Sequence, residues 1–387
     1  MHDYYLHRRA RCAALLSALA SVTGTACAHD HFTNPIDSSA IRVIWDVPIR
    51  GSGQAAFDDS SVYFVGWHHD LTAVNKRTGA EHWSIVTGEP GGEYTDGHAV
   101  VVAGNAVAMG DGEVYGFDHR TGQRLWRFQP SAAWGSGIYN LSTDGRVIYA
   151  GSPVGRVFAI DAVTGVERWR ADVAEGDSTA PVVDARVADG VVYACVRHNP
   201  LPTRGGIVAL DAATGAIRWS YAFAPRFSTD ETGCARGLAL GQGVVVGAAF
   251  DGRLHALDAS TGQEKWSAPP DTTTPEDLRP LAANATLVVA GSWTGYVTAF
   301  DLLSGRMVWR ATANWGSVDG PIGIDAERAY VNHAGGQLAA FDLTNGKVSW
   351  IAGLLTNGGE FVYAPAVDAD RLYIGGIHAL YALRKGP

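Results

Sequence analysis

A short phrase that ends in tryptophan recurs along this chain and constrains its fold more than any other feature. It reads Ala-Val-Asn-Lys-Arg-Thr-Gly-Ala-Glu-His-Trp at 73–83 and Ala-Leu-Asp-Ala-Ser-Thr-Gly-Gln-Glu-Lys-Trp at 256–266. Eight tryptophans recur at this position, and seven of them end the phrase: Trp45, Trp83, Trp126, Trp169, Trp219, Trp266, Trp309 and Trp350. Their mean spacing of about 44 residues predicts a propeller or another repeat array.

Each part of the phrase has a physical role. Apolar residues recur in the stretch before the Asp or Asn of the phrase, as in Val157–Asp161. This pattern indicates a half-buried strand. The Asp side chain can accept hydrogen bonds from amides two residues on, and the glycine four residues after it supplies the positive φ of a tight turn. A second strand then carries the tryptophan. Burial of its ring contributes up to about 5 kcal/mol, so we interpret these tryptophans as structural.

Two further strands precede each phrase, for example Ala235–Leu240 and Val244–Ala248 before 256–266. Four short antiparallel strands per repeat predict one blade of a β-propeller. The C-terminal repeat reaches a third strand at 380–384 but lacks the turn and the tryptophan, whereas 41–45 supplies a fourth strand. The sequence therefore predicts an all-β fold over 41–387, an eight-bladed β-propeller closed by an N-terminal strand that completes the C-terminal blade.

The N-terminal 28 residues have the pattern of an export signal. Three arginines lie in the basic start, and the apolar run 12–22 that follows is too short to span a bilayer. Residues 29–40 are predicted to form a tether. Two kinds of processing remain open: cleavage after Ala28, or lipidation of Cys27. The sequence therefore predicts a protein that is exported and lies in the periplasm or is anchored to the outer membrane.

Composition narrows the partners. The chain carries a net charge of −9 and has no run of Lys and Arg, so we expect no nucleic-acid partner and no direct adsorption on anionic lipid. The membrane would be reached only through a lipid anchor, and we expect a monomer. Beyond the leader, Cys195 and Cys234 fall on one face of adjacent predicted blades, which in an oxidising compartment favours a disulfide over two buried thiols.

Motifs for catalysis are lacking. The sequence contains neither Gly-x-Ser-x-Gly nor His-Glu-x-x-His, and we predict no catalytic residue and no metal site. Asp251-Gly252-Arg253 is interpreted as a hairpin turn, because Asp-Gly is a strong two-residue turn signal.

The phrase Ala-Leu-Asp-Ala-x-Thr-Gly-x-x-x-Trp resembles the pyrroloquinoline-quinone-type propeller repeat, and the resemblance covers roughly 41–387. Two families share this repeat: the large quinoprotein dehydrogenases and the smaller BamB-type outer-membrane assembly lipoproteins. Length, leader and bare blades resemble the second family. The dehydrogenases stack their quinone against a disulfide between adjacent cysteines, and this chain has no Cys-Cys pair.

The resemblance implies a non-catalytic scaffold in the cell envelope that needs no cofactor. Its partner would be an envelope protein or an extended peptide, with a barrel-assembly component as one candidate. The alternative is a quinone-dependent dehydrogenase, or another enzyme that binds a small ligand, with pyrroloquinoline quinone or the ligand in the central funnel. A repeat shared by enzymes and scaffolds does not decide between them.

The candidate binding site lies on one predicted face of the ring. In a propeller, the loops from one blade to the next share a face with the loops between second and third strands; we call this the loop face. Trp134 and Trp315, each in Trp-Gly-Ser, lead into blades 3 and 7 on opposite sides of the ring. Exposed aromatic side chains and arginine are enriched at binding hot spots. The predicted binding residues are Trp67, His68, Tyr94, His98, Trp134, Arg226, Trp293, Trp315 and His333. The alternative is that these rings pack beneath their own loops.

Overall fold

A computed structural model gives the architecture of the chain. It describes fifteen ranges of residues, all within the compact unit Asp37–Pro387: 43–48, 54–66, 70–86, 99–111, 113–130, 140–198, 205–224, 232–268, 278–292, 294–312, 317–318, 320–333, 337–353, 364–376 and 379–386. The predicted leader and tether, with Cys27, lie outside these residues. Within the described ranges the chain forms strands and turns and no helix. In the part described, therefore, no helix is long and apolar enough to cross a membrane.

The strands follow one another in sets of four. β1 (Val43–Pro48) comes first and belongs to the last set. Blade 1 is β2 (Ala55–Phe57), β3 (Ser61–Val65), β4 (Asp70–Asn75) and β5 (Glu81–Val86); blade 2 is β6 (Ala99–Ala103), β7 (Ala106–Asp111), β8 (Glu113–Asp118) and β9 (Arg124–Phe128). Blade 3 is β10 (Asn140–Thr143), β11 (Val147–Gly151), β12 (Arg156–Asp161) and β13 (Glu167–Asp172); blade 4 is β14 (Val182–Ala188), β15 (Val191–His198), β16 (Gly206–Asp211) and β17 (Ile217–Ala222).

The second half of the chain repeats this order. Blade 5 is β18 (Thr232–Gly241), β19 (Val244–Ala249), β20 (Leu254–Asp258) and β21 (Glu264–Ala268); blade 6 is β22 (Leu278–Ala283), β23 (Leu287–Ser292), β24 (Tyr296–Asp301) and β25 (Met307–Thr312). Blade 7 is β26 (Gly323–Ile324), β27 (Arg328–His333), β28 (Gln337–Asp342) and β29 (Val348–Gly353). Blade 8 combines β30 (Ala366–Val367), β31 (Arg371–Gly375) and β32 (Ala379–Arg384) with β1.

The ring closes through both ends of the described chain. β1 pairs antiparallel with β32, with Trp45 opposite Ala382. The first strands of the blades contact one another in a closed series: β2, β6, β10, β14, β18, β22, β26, β30 and again β2. The fold is therefore an all-β propeller, and the prediction that an N-terminal strand completes the C-terminal blade is confirmed.

The recurring turn forms as its residues require. In blade 3, Asp161 Oδ1 accepts hydrogen bonds from the amides of Val163 (3.1 Å) and Thr164 (2.9 Å) and from the Thr164 hydroxyl. Gly165 follows with a φ of +69°, a region that an L side chain rarely adopts. The turn places Trp169 at the middle of β13, opposite Ala159 of β12.

Each repeat tryptophan joins its blade to the next. The Trp169 indole N–H of blade 3 donates to the Ala212 carbonyl of blade 4 at 2.9 Å, and its ring lies against the turn glycine Gly215. The same pair of contacts recurs at every step of the ring, with the tryptophan and the glycine as follows: Trp45 and Gly79, Trp83 and Gly122, Trp126 and Gly165, Trp219 and Gly262, Trp266 and Gly305, Trp309 and Gly346, Trp350 and Gly386. The core is thus a series of interfaces between blades.

The last of these pairs corrects the sequence analysis, which gave the C-terminal repeat no turn glycine. Gly386 has a φ of +93° and lies against Trp350, whose indole N–H donates to the Lys385 carbonyl at 2.8 Å. Blades 7 and 8 are therefore joined by the same tryptophan–glycine contact as the other pairs of blades, although the phrase around Gly386 is incomplete.

Tyrosines add a second layer under the tryptophans. Tyr149 packs against Trp169 with ring centroids 5.9 Å apart, and its hydroxyl donates to Asp144 Oδ2 (3.1 Å) and the Ala212 carbonyl (3.2 Å). Tyr63, Tyr193, Tyr330 and Tyr373 pack in the same way against the tryptophans of their own blades. Since Ala212 lies in the next blade, Tyr149 also links two blades. The hydroxyls of Tyr63 and Tyr193 do the same, because they donate to the carbonyls of His119 and Ala259 in the next blade.

Candidate functional site: the loop face

The loop face is the edge of the ring at which the second and fourth strands of each blade end. The strands of a blade alternate in direction, so these two ends fall on the same edge. Nearly all predicted binding residues follow such ends but lie outside the described residues: Trp67, His68, Tyr94, His98, Trp134, Arg226, Trp293 and Trp315. His333 ends β27, where its backbone is described and its side chain is not. Their grouping on one surface stays a prediction.

Among the connections from one blade to the next on this face, one is described throughout, the loop 173–181 from blade 3 to blade 4. The Asp172 carboxylate accepts hydrogen bonds from the amides of Ala174 (3.0 Å) and Gly176 (3.1 Å) and pairs with Arg156 at 2.7 Å. Glu175 and Gly176 both have positive φ, and Asp177 Oδ1 accepts from the Thr179 amide at 2.8 Å. The loop is held by its own side chains and presents a polar, acidic surface to solvent.

A second described feature is a cleft between the last blade and the first. Pro48 at the end of β1 lines it on one side, and Phe64, Gly66 and Asp70 line it on the other. Thr72 and Ser84 form part of its wall, with their hydroxyls 2.9 Å apart. Gly66 and Asp70 of this cleft are neighbours in sequence of positions 67–69, at which the sequence predicts part of the binding surface.

Among the described residues, the blade 4–blade 5 junction has two links that are not seen at the other junctions. Cys195 on β15 and Cys234 on β18 form a disulfide, with Cα atoms 5.5 Å apart and both side chains fully buried. The same two strands pair over two residues, Arg197 with Gly233 and His198 with Thr232. The blades are thereby linked by a covalent bond and by a short β-ladder beside the loop face.

This junction also carries a charged pair on an innermost strand. Asp184 on β14 is buried and accepts a hydrogen bond from the Leu238 amide of blade 5 at 2.9 Å. Arg186 donates through Nε to the same carboxylate at 2.9 Å, and more than half of its side chain is exposed. Among the described side chains of the first strands, this is the one ion pair toward the centre of the ring. This pair was not predicted from the sequence, although Asp184 and Arg186 interrupt the apolar strand Val182–Ala188.

The donor groups of the described residues do not form a metal site. No group of three or more His, Cys, Asp or Glu side chains in these ranges could hold a metal ion. The described disulfide joins cysteines 39 residues apart. It therefore differs from the disulfide between adjacent cysteines on which, by family resemblance, a quinone would stack.

Comparison with known proteins finds similarity to outer membrane protein assembly factors and to quinone-dependent alcohol dehydrogenases. The family model described as outer membrane protein assembly factor BamB matches residues 36–199, 110–292 and 293–380. The outer membrane protein assembly factor BamB of Bordetella pertussis is 28% identical over 297 residues, which cover 72% of this chain and 70% of that protein.

Quinone-dependent enzymes are similar in sequence to part of this chain. The dehydrogenase subunit of the quinone alcohol dehydrogenase of Komagataeibacter europaeus is 33% identical over 159 residues, which cover 36% of this chain and 20% of that protein.

Among solved structures, BamB from Moraxella catarrhalis superposes with a TM-score of 0.68 at 16% identity and covers 89% of this chain and 99% of that one. At this identity, the superposition supports the fold alone.

Proposed function

Because the chain belongs to the family of the outer membrane protein assembly factor BamB, we propose that it is a non-catalytic scaffold of the cell envelope that takes part in outer-membrane protein assembly. The observation that carries the proposal is the extent of the match. The similarity to the Bordetella protein spans 70% of that relative, whereas the similarity to the quinone alcohol dehydrogenase spans 20% of it. A scaffold needs a binding surface and no reaction centre, and the propeller ring supplies such a surface.

The proposed binding surface is the loop face. Its described part offers an ordered acidic loop at 173–181, a cleft beside Pro48, and a junction between blades 4 and 5 fixed by a disulfide. Rigid supports of this kind lower the entropy that a binding surface loses when a partner docks. Trp67, Trp134, Trp293 and Trp315 would add aromatic anchors to this surface. The partner would be an envelope protein or an extended peptide, with a component of the barrel-assembly machinery as the first candidate.

The chain would act outside the cytoplasm, in the periplasm or at the outer membrane. Two routes to that location remain proposals, cleavage after Ala28 and lipid attachment at Cys27. Mass spectrometry of the mature protein from membranes distinguishes a diacylglycerol-modified Cys27 from a free His29 terminus.

Affinity capture tests the assembly role. The full chain, tagged at its C-terminus and expressed in a Gram-negative host, is recovered from detergent-solubilised outer membranes. We expect the membrane-embedded component of the barrel-assembly machinery to co-purify in an amount comparable to the bait. Recovery of the bait without that component under mild detergent conditions would contradict the proposal.

A second function, oxidation of an alcohol or sugar by a bound quinone, is favoured by the 33% identity to the quinone alcohol dehydrogenase. Absorbance spectra after addition of pyrroloquinoline quinone and calcium to the purified protein separate the two. We expect the spectrum to be the sum of its components. Stoichiometric binding, with reduction of the quinone by an alcohol, would replace the scaffold by an enzyme.

A further inference from the structure

A buried histidine lies at the interface between blades 4 and 5. His255 is on β20 of blade 5 and is 7% exposed. Its ring packs against Phe223, with centroids 4.8 Å apart, and against Tyr221, with centroids 6.2 Å apart. Both aromatic residues belong to the end of blade 4, so the imidazole is enclosed by two blades.

Both ring nitrogens of this histidine face carboxylates. Nε2 lies 2.9 Å from Asp251 Oδ2 in the turn before β20, and Nδ1 lies 3.0 Å from Glu264 Oε2 on β21. Glu264 Oε2 also accepts a hydrogen bond from the Tyr221 hydroxyl. A continuous chain of contacts therefore runs from Tyr221 of blade 4 through Glu264 and His255 to Asp251. From the sequence, Asp251 was predicted only as a turn residue.

This series of hydrogen bonds requires the His255 imidazole to carry a proton on both nitrogens. An ionised carboxylate accepts hydrogen bonds and cannot donate them, whereas a neutral imidazole has one N–H and one lone-pair nitrogen. With carboxylates on both sides, only the imidazolium form makes both hydrogen bonds. A neutral His255 would leave one carboxylate facing a nitrogen lone pair in a buried site, which is unfavourable.

The surrounding groups favour the same form. Burial lowers the pKa of His255, but the hydrogen bonds to Asp251 and Glu264 and the charges of these carboxylates raise it by more, to above its ordinary value of 6.5. Burial raises the pKa of Glu264, but the hydrogen bonds from Tyr221 and His255 lower it by more, to below 4.5. Both shifts favour the charged form of their group.

The other cations on the packed elements are engaged elsewhere. Arg253, in the same turn as Asp251, donates to the Ser267 carbonyl (3.3 Å) and hydroxyl (3.1 Å). On β21, Lys265 pairs with Asp258 at 3.0 Å, and on β17, Arg218 pairs with Asp211 at 2.7 Å. His255 is therefore the cation that the two carboxylates share.

We propose that His255 is a proton-dependent latch between blades 4 and 5, closed while the imidazole carries two protons and open once it loses one. When it opens, Glu264 loses the group that fixes it beneath the Tyr221 hydroxyl, and the contact between the blades outside the disulfide weakens. An exported protein meets the pH of its surroundings, so this junction changes with the medium.

The direction of the pH effect follows from linkage. Below pH 6.5 the histidine is protonated in both the folded and the unfolded chain, and the stabilisation is fully present. As the pH rises from 6.5 through the higher pKa of the folded protein, the stabilisation is lost. The latch therefore opens above pH 6.5, as the histidine titrates in the folded protein.

Nitrogen-15 NMR of the imidazole side chains in the full-length protein tests the proposal. We expect one histidine to show two protonated nitrogens at pH 6.5, to titrate above 6.5, and to disappear from the spectrum of His255→Gln. The exposed His82 on β5 supplies the matched control, His82→Gln. A His255 that is neutral at pH 6.5 would overturn the proposal even if His255→Gln did not fold.

Amide hydrogen exchange of β17 measures the opening itself. Between pH 7 and 9, after correction for intrinsic exchange, the protection of 217–223 is expected to fall at least threefold in the wild type and in His82→Gln. Glu264→Gln should show a smaller change, because an amide oxygen or nitrogen can satisfy a neutral ring. Equal loss of protection in Glu264→Gln and the wild type would contradict the latch.

Discussion

The indole ring of Trp45 lies flat against Gly79 and so joins the first described strand of the chain to blade 1. An ideal Cβ atom at Gly79 would stand 2.8 Å from Cδ2 of this ring, and the glycine has a φ of +74°. β1 is hydrogen-bonded to blade 8 through β32. This one contact between Trp45 and Gly79 therefore extends the tryptophan–glycine series across the closure of the ring.

Substitution Gly79→Ala should destabilise the protein by about 2–4 kcal/mol. Alanine is unfavourable at the positive φ of this position, which costs about 1–2 kcal/mol. Its methyl group would also overlap the Trp45 ring. Urea unfolding followed by tryptophan fluorescence measures the change. Gly243→Ala is the matched control, since Gly243 has a φ of +71° and no atom within 4 Å of its ideal Cβ. Equal losses in the two variants would show that the Trp45 contact contributes nothing.

Substitution Asp368→Asn should lower stability at pH 7 by up to about 1 kcal/mol. Asp368 of blade 8 pairs with Lys76 of blade 1 at 2.8 Å. Burial raises the pKa of Asp368, but the hydrogen bonds from Lys76 and the Ala369 amide lower it by more, to below 3.8. The stabilisation is present above pH 3.8 and is lost as the pH falls through the lower folded pKa.

The free energies of unfolding of wild type and Asp368→Asn should therefore converge in acid. Asp370→Asn, two residues further along the same turn, is the control and should differ little from the wild type, because Asp370 is mostly exposed. A gap between Asp368→Asn and the wild type that stays constant down to pH 2 would exclude a role for this ion pair.

The cysteine pair should be oxidised in protein isolated from the envelope. Alkylation after unfolding without reductant should label neither Cys195 nor Cys234. The double substitution to serine should cost about 2–4 kcal/mol, because the bond closes a loop between residues 39 apart. Mass spectrometry of the alkylated protein checks the oxidation state of the cysteines, and urea unfolding checks the loss of stability. Full labelling of the oxidatively purified protein would exclude the disulfide.

The repeat made the architecture predictable because each of its residues has a local task. Asp161, Gly165 and Trp169 can be interpreted from a single phrase: one caps the turn, one supplies positive φ, and one fills the interface. Gly386 was missed because its phrase is incomplete and its role appears only when Trp350 of blade 7 is placed beside it.

The special features of the blade 4–blade 5 junction were harder to predict. His255 has no sequence motif, and its partners Asp251, Glu264 and Tyr221 come from a turn and two outer strands. Periodicity assigns residues to strands but does not give the register between blades, on which such clusters depend. The predicted aromatic surface shares this difficulty, since its members are predicted to lie in loops of unequal length.

The proposed function depends most on binding at the loop face, and one paired measurement tests this binding directly. The affinity of the purified chain for the membrane-embedded component of the barrel-assembly machinery is measured in detergent, together with the melting temperature. Leu125→Ala, at an exposed apolar residue on β9, is the control. The double variant Trp134→Ala and Trp315→Ala should bind at least tenfold more weakly and melt within about 2 °C of the wild type. Unchanged affinity together with a large fall in melting temperature would assign these tryptophans to packing and contradict the proposed surface.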